Sequence, residues 1–269
     1  MAWAVPPWYE VGEVIATAWL GVFLSCRAWL LLDHRSRAAG ALRHALRRPW
    51  AEHLCWALAG ACAFFIAAEG VLDTRSEELV RDLDALARGE VQLLALSPIV
   101  HVTAERVSDL TGIGLVGTVA GVVVCLFTMR HRREALIVAA GSLSGWVISG
   151  GLKSAFGVAR PHSWNAGFPS GHVVTTVVAG GLVAWCLGRF TDAGARRGLY
   201  AAAAVMALLS GASRLVLDAH WLSDVIGGLA VGTTLLNVVI LIASRFGPSP
   251  RFSPSTDRTA PAVPPLPWR

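Results

Sequence analysis

KSAFGVARPHSWNAGFPSGH, residues 153–172, is a loop caught between two apolar runs. The run 135–153 ends on Lys153, and the run 172–190 begins at His172. Each is about as long as the ~20 residues that a helix needs to cross a hydrocarbon core about 30 Å thick. Seven residues separate Pro161 from Pro169, too few for another crossing, so both runs must end on the same side of the membrane. Working outward, further windows of this kind lie at 12–32, 54–72, 110–129, 197–214 and 222–243. The chain is 54% hydrophobic and only 15% charged, with a mean hydropathy of +0.55, which sets it apart from a soluble domain. The pattern predicts an all-α, polytopic transmembrane bundle of seven spans, or six if the first lies in the interface.

Charge orients the bundle. Arginines crowd the segment 33–53 (Arg35, Arg37, Arg43, Arg47, Arg48), the turn at 130–133, the turn at 188–198 (Arg189, Arg196, Arg197) and the start of the tail at Arg245. Seven spans put all four on one side, which the positive-inside rule makes cytoplasmic. The 153–172 loop then opens outward, to periplasm or exterior. The 73–109 stretch shares that outer side, with eight acids against four arginines. Its charges interleave with Leu79, Val80, Leu83 and Leu86 at helical spacing, as in an amphipathic helix lying on the membrane surface. The lysine-poor, arginine- and alanine-rich composition suggests a bacterial cell membrane as the setting.

The organisation expected is an N-terminal transmembrane helix and basic cytoplasmic loop over 1–53, a catalytic transmembrane domain over 54–243, and a proline-rich disordered tail over 244–269. Cys26, Cys55, Cys62, Cys125 and Cys186 fall in apolar windows and read as packing residues. No Cys/His pair has metal spacing, and no nucleic-acid motif is present. The first twelve residues lack the basic region of a secretory signal, so no cleaved peptide is expected.

The chemistry concentrates at the outer helix ends. Lys153 is the sole lysine against twenty-two arginines, a compact ammonium where every other basic position has a guanidinium. Arg160-Pro161, Pro169-Ser170-Gly171-His172, Ser213-Arg214, His220 and Asp224 follow in order. A Pro-Ser-Gly turn into a helix exposes free backbone N–H groups, which bind anions. Forty residues separate His172 from Ser213, enough for two crossings and a tight turn, so Arg214 returns to the same face. His220 and Asp224 are four apart and would share a face on a helix. Three cations, two imidazoles and an orienting carboxylate suit phosphoryl transfer without a metal or other cofactor.

The pattern K-x6-RP, PSGH, SR-x5-H-x3-D resembles the type 2 phosphatidic acid phosphatase (PAP2) superfamily, in its membrane-bound lipid phosphatase branch; with its helical context the likeness covers roughly 54–243. The resemblance implies a six-helix core, so that the first span would be an N-terminal addition, and metal-independent hydrolysis through a phosphohistidine. It implies His220 as nucleophile, held by Asp224, and His172 as the acid that protonates the leaving oxygen and then activates water. Lys153, Arg160 and Arg214, helped by Ser170 and Gly171, would bind the phosphoryl oxygens. The substrate implied is a membrane lipid phosphate or diphosphate, of the undecaprenyl diphosphate, phosphatidylglycerophosphate or phosphatidate type. Transfer of the phosphoryl group to a lipid or sugar hydroxyl is the alternative. Asp218, Trp221 and His162 occupy positions that the pattern leaves free, and Phe168 reads as loop packing.

Overall fold

Long apolar segments become helices because a bilayer offers their backbone no hydrogen bonds except their own. The computed structural model describes residues 20–21, 49–72 and 77–245. The expected first span, the Arg35–Arg48 cluster and the tail beyond Arg245 therefore lie outside the described residues, apart from Leu20 and Gly21. The helices are α1 (Pro49–Leu72), α2 (Glu77–Ala95), α3 (Pro98–Thr128), α4 (Arg132–Phe156), α5 (Gly171–Leu187), α6 (Ala193–Val216) and α7 (Leu222–Arg245). Five of them, α1, α3, α4, α6 and α7, are long and apolar enough to cross a membrane; α5 is apolar but shorter. Short turns at Met129–His131 and Gly188–Asp192 force antiparallel neighbours. The basic turns and the end of α7 consequently share one end of the bundle, and the 153–172 loop occupies the other.

One expectation about the outer side needs correction. The 73–109 segment is not one surface helix. It holds α2, and then Pro98 starts α3, which runs without a break through Asp109 to Thr128. Pro98 sits at the first helical position, where its missing N–H costs nothing. His101, Glu105, Arg106 and Asp109 lie on the outer turns of that helix, so their polarity does not end it. Between α4 and α5, the expected loop holds a two-stranded antiparallel hairpin, β1 (Ala159–Arg160) and β2 (Ser163–Ala166).

The core lies where α5 crosses α3, α4 and α7. Leu126, Val138, Val174, Val178, Leu182, Val231 and Ile240 pack there. Cys186 is buried with them, as a packing residue should be, whereas Cys125 is exposed on α3. Phe168 is fully buried, stacked on Phe64 at 5.8 Å and edge-on to Phe156 at 5.1 Å. This aromatic cluster anchors the loop immediately before Pro169 and Ser170, in agreement with the packing role read for Phe168.

Candidate active site

Four helix ends supply the site. Lys153 stands in the last turn of α4, which closes on the left-handed Gly157. Arg160 comes from β1, where its Nε donates to the carbonyl of Ala166 across the hairpin at 3.3 Å. Ser170 caps α5 with extended backbone, leaving Gly171 and His172 in the first turn. Its own N–H donates to the carbonyl of Asp224 at 2.9 Å, which ties the start of α5 to the start of α7. The Ser170 side chain is buried, and its hydroxyl has no hydrogen-bond partner within the protein. Gly171 faces Lys153: a Cβ there would lie 3.5 Å from the ammonium nitrogen and 3.4 Å from Oγ of Ser149, in ordinary contact.

Arg214 ends α6 and lies within electrostatic reach of Lys153, Arg160 and His172. Its Nη1 donates to Oγ of Ser108 on α3 at 2.8 Å. One turn further along α3, Gly112 faces the imidazole of His172, and a Cβ there would sit 3.4 Å from Nε2. The π-turn Leu110–Gly114 falls at this point of α3. Ser108 and Gly112 are thus neighbours of the site that sequence reasoning missed. Nothing in the local pattern marks them, because their partners are about 60 and 106 residues away.

His220 does not sit on α7 as the four-residue spacing suggests; it lies in the turn before it, and α7 begins at Leu222. The contact is made all the same. Nδ1 of His220 is 2.9 Å from Oδ2 of Asp224, and both residues are buried. The same carboxylate oxygen accepts the backbone N–H of Trp221 at 3.2 Å, the return arm of a capping box on α7. An ionised carboxylate only accepts, so Nδ1 carries the proton and Nε2 keeps its lone pair. Burial pushes the His220 pKa below the usual histidine value. The hydrogen bond to Asp224 pulls the other way, while Lys153 and Arg160 oppose a positive charge on the ring. The ring is therefore neutral at neutral pH.

The free positions in the pattern are occupied with purpose. Asp218, at φ 51, forms a two-point ion pair with Arg88 of α2 and a close contact with His162 of the hairpin loop. The hydrogen bond from Arg88 holds the Asp218 carboxyl below the ordinary carboxylate range. Trp221 donates its indole N–H to the carbonyl of Ala159 at 3.0 Å. Among the described residues no cluster of three or more His, Cys, Asp or Glu side chains is arranged to hold a metal ion.

Lys153, Arg160, His172, Arg214, His220 and Asp224, scattered over 72 positions of sequence, thus converge on one end of the bundle. Residues 134–248 match the PAP2 superfamily. That match takes in all six of these residues. Its fold is similar to the crystal structure of a transmembrane PAP2-type phosphatidylglycerolphosphate phosphatase from Bacillus subtilis, with a TM-score of 0.65. The likeness covers 71% of this chain and 97% of that one at 20% sequence identity. No curated protein matches the chain in sequence. The all-α transmembrane bundle expected from the hydropathy pattern is the PAP2 membrane fold, and the chain is a multi-pass membrane protein.

Proposed function

We propose that the chain is a membrane lipid phosphatase that works through a phosphohistidine. The observation that carries this reading is the buried His220–Asp224 pair, with Lys153 and Arg160 in electrostatic reach, at the ends of apolar helices. A substrate for such a site carries its phosphate on an apolar anchor that stays in the bilayer. The phosphatidylglycerolphosphate phosphatase activity of the similar Bacillus subtilis structure supports that class of substrate. Phosphatidylglycerophosphate, phosphatidate and undecaprenyl diphosphate all belong to it.

Nε2 of His220 attacks phosphorus in line as the bond to the leaving oxygen breaks. His172 gives that oxygen a proton, so the product leaves as an alcohol or, from a diphosphate, as a monophosphate. Asp224 stabilises the charge that develops on the imidazole, as in a catalytic triad. Water then attacks phosphorus, His172 takes its proton, the P–N bond breaks, and His220 returns to its neutral form. Lys153, Arg160 and Arg214, with Ser170 and the N–H groups opening α5, bind the three equatorial oxygens throughout. Each donor of this kind typically contributes about 10²–10³ in kcat.

Orientation follows from charge. Arg130, Arg132, Arg133, Arg189, Arg196, Arg197 and Arg245 gather at the end of the bundle opposite the site, which supports a site facing periplasm or exterior. The purified protein in mixed micelles should release inorganic phosphate from one or more lipids of a panel of lipid phosphates and diphosphates. Release from water-soluble phosphate esters alone would contradict a lipid phosphatase.

A further inference from the structure

The turn that carries His220, Leu217–Trp221, is gripped from outside by one face of α2. Asp84, Arg88 and Gln92 are spaced four apart and so line up along that helix. Gln92 donates from Nε2 to the carbonyls of Leu215 and Val216 at 3.2 and 3.4 Å, at the end of α6. Arg88 donates from Nε and Nη2 to both oxygens of Asp218 at 2.8 and 2.7 Å. Its guanidinium also lies 5.7 Å from the centre of the Trp221 ring. Asp84 accepts the backbone N–H and the hydroxyl of Ser223 at 2.8 and 2.7 Å, in the first turn of α7. The end of α6, the middle of the turn and the start of α7 are each held by a different side chain of the same stripe.

These contacts involve the turn and its flanking helix ends rather than Lys153, Arg160 or Arg214. The opposite face of α2 is apolar, with Leu79, Leu86, Leu93 and Leu94 each more than 60% exposed. Asp84 is buried, and burial raises its pKa while the two bonds from Ser223 oppose that rise. A buried carboxyl has to be hydrogen-bonded to be tolerated, so its place on Ser223 is structurally demanding. Asp224 settles the rotation of the His220 ring but not the position of the turn that carries it. In-line attack depends on that position, and a displacement of ~1 Å can lower a rate about 10²-fold.

We propose that the Asp84–Arg88–Gln92 face of α2 is a positioning clamp for the nucleophile, with Asp218 as its main point of purchase. This rests on the reading of His220 as the residue that becomes phosphorylated. Arg88, Asp218 and Gln92 are positioning residues: they set the reach of Nε2 toward phosphorus without touching the phosphoryl group. The two-point geometry requires an arginine, since a lysine can satisfy only one carboxylate oxygen at a time.

The test uses the full-length protein in mixed micelles with phosphatidate, measuring steady-state phosphate release and the rate of phosphoenzyme formation. Asp218→Asn removes the charge yet keeps a residue that tolerates positive φ, so the turn itself is not strained. Arg88→Gln and Asp218→Asn should each lower kcat and the rate of phosphorylation by about 10–100-fold, with KM changed less than about 2-fold. The double variant should fall well short of the product of the two single defects, because the main interaction that each removes is the same one. Arg88→Lys should recover part of the loss, and Gln92→Ala should show a smaller defect of the same kind. Glu90→Gln, exposed on the far side of α2, should leave kcat unchanged. Should Arg88→Gln fail to fold, Asp218→Asn and Gln92→Ala carry the test. Unchanged kcat in folded Asp218→Asn, a rise in KM alone, or multiplying defects in the double variant would overturn the clamp. A wild-type protein that forms no phosphohistidine at His220 would instead remove the reading on which it rests.

Discussion

His220 and Asp224 meet at 2.9 Å although only one of them is on a helix. The carboxylate reaches back from the first turn of α7 to the preceding turn, where it accepts both the imidazole N–H and the backbone N–H of Trp221. One side chain thereby fixes the tautomer of the imidazole and closes the start of the helix behind it.

Asp224→Asn separates those two duties. An asparagine can still accept the Trp221 N–H, so α7 should keep its start. It no longer stabilises a positive imidazole, and it can present an amide N–H to Nδ1, which moves the ring proton to Nε2. The expected loss in kcat is about 10³–10⁴-fold, by analogy with the loss of the orienting carboxylate in a catalytic triad. Thermal unfolding should change far less than activity. Steady-state kinetics and a melting curve on the same preparation check both halves.

Burial lowers the His220 pKa, and the sign of the consequence can be worked out. Attack requires the neutral ring, and a pKa below the ordinary value of about 6.5 keeps it neutral through neutral pH. The acid limb of kcat/KM assigned to the nucleophile should therefore fall below about pH 6.5. Protonation as pH falls should also cost stability, because the unfolded chain takes up the proton more readily than the buried ring. A limb assigned to His220 and lying above pH 6.5 would contradict the neutral, buried nucleophile.

Three cations around the phosphoryl group make a divalent ion unnecessary in this account. Activity should survive EDTA, and vanadate should inhibit at lower concentration than phosphate, because it can adopt the five-coordinate shape of in-line transfer. Loss of turnover on chelation, with recovery on adding Mg²⁺, would remove the mechanism proposed.

The orientation predicts an asymmetric labelling result. In a background with the native cysteines replaced, a cysteine at Asn165 should react with an impermeant thiol reagent on intact cells, and one at Ala195 should not. Asn165 lies on β2 beside the site, and Ala195 lies in the first turn of α6 at the other end of the bundle. The reverse pattern would put the substrate phosphate on the cytoplasmic side.

Much of the site was legible in the sequence because its residues sit at helix ends in a fixed order. Hydropathy alone returns those ends to one side of the membrane. Lys153, Arg160, Ser170, Gly171, His172, Arg214, His220 and Asp224 could all be picked out in this way. The surroundings could not. Arg88 and Asp218 are 130 positions apart, and a polar stripe on an amphipathic helix says only that something polar faces it. Ser108 was hidden for a further reason: the polar outer turns of α3 resemble a surface segment until Pro98 is read as a helix start. His162 and Asp218 looked like free positions because pattern spacing carries no information about tertiary ion pairs.

The most direct measurement is the trapping of the covalent intermediate. The full-length protein is mixed with phosphatidate labelled at its phosphate, quenched within a single turnover in alkali, and mapped by mass spectrometry. A phosphoramidate is stable to base and labile to acid, so the quench preserves it. The account predicts label on the peptide containing His220, none in His220→Ala, and label that accumulates when His172→Ala slows the attack of water. Phosphate release by a His220→Ala protein, or label confined to any other residue, would contradict the account.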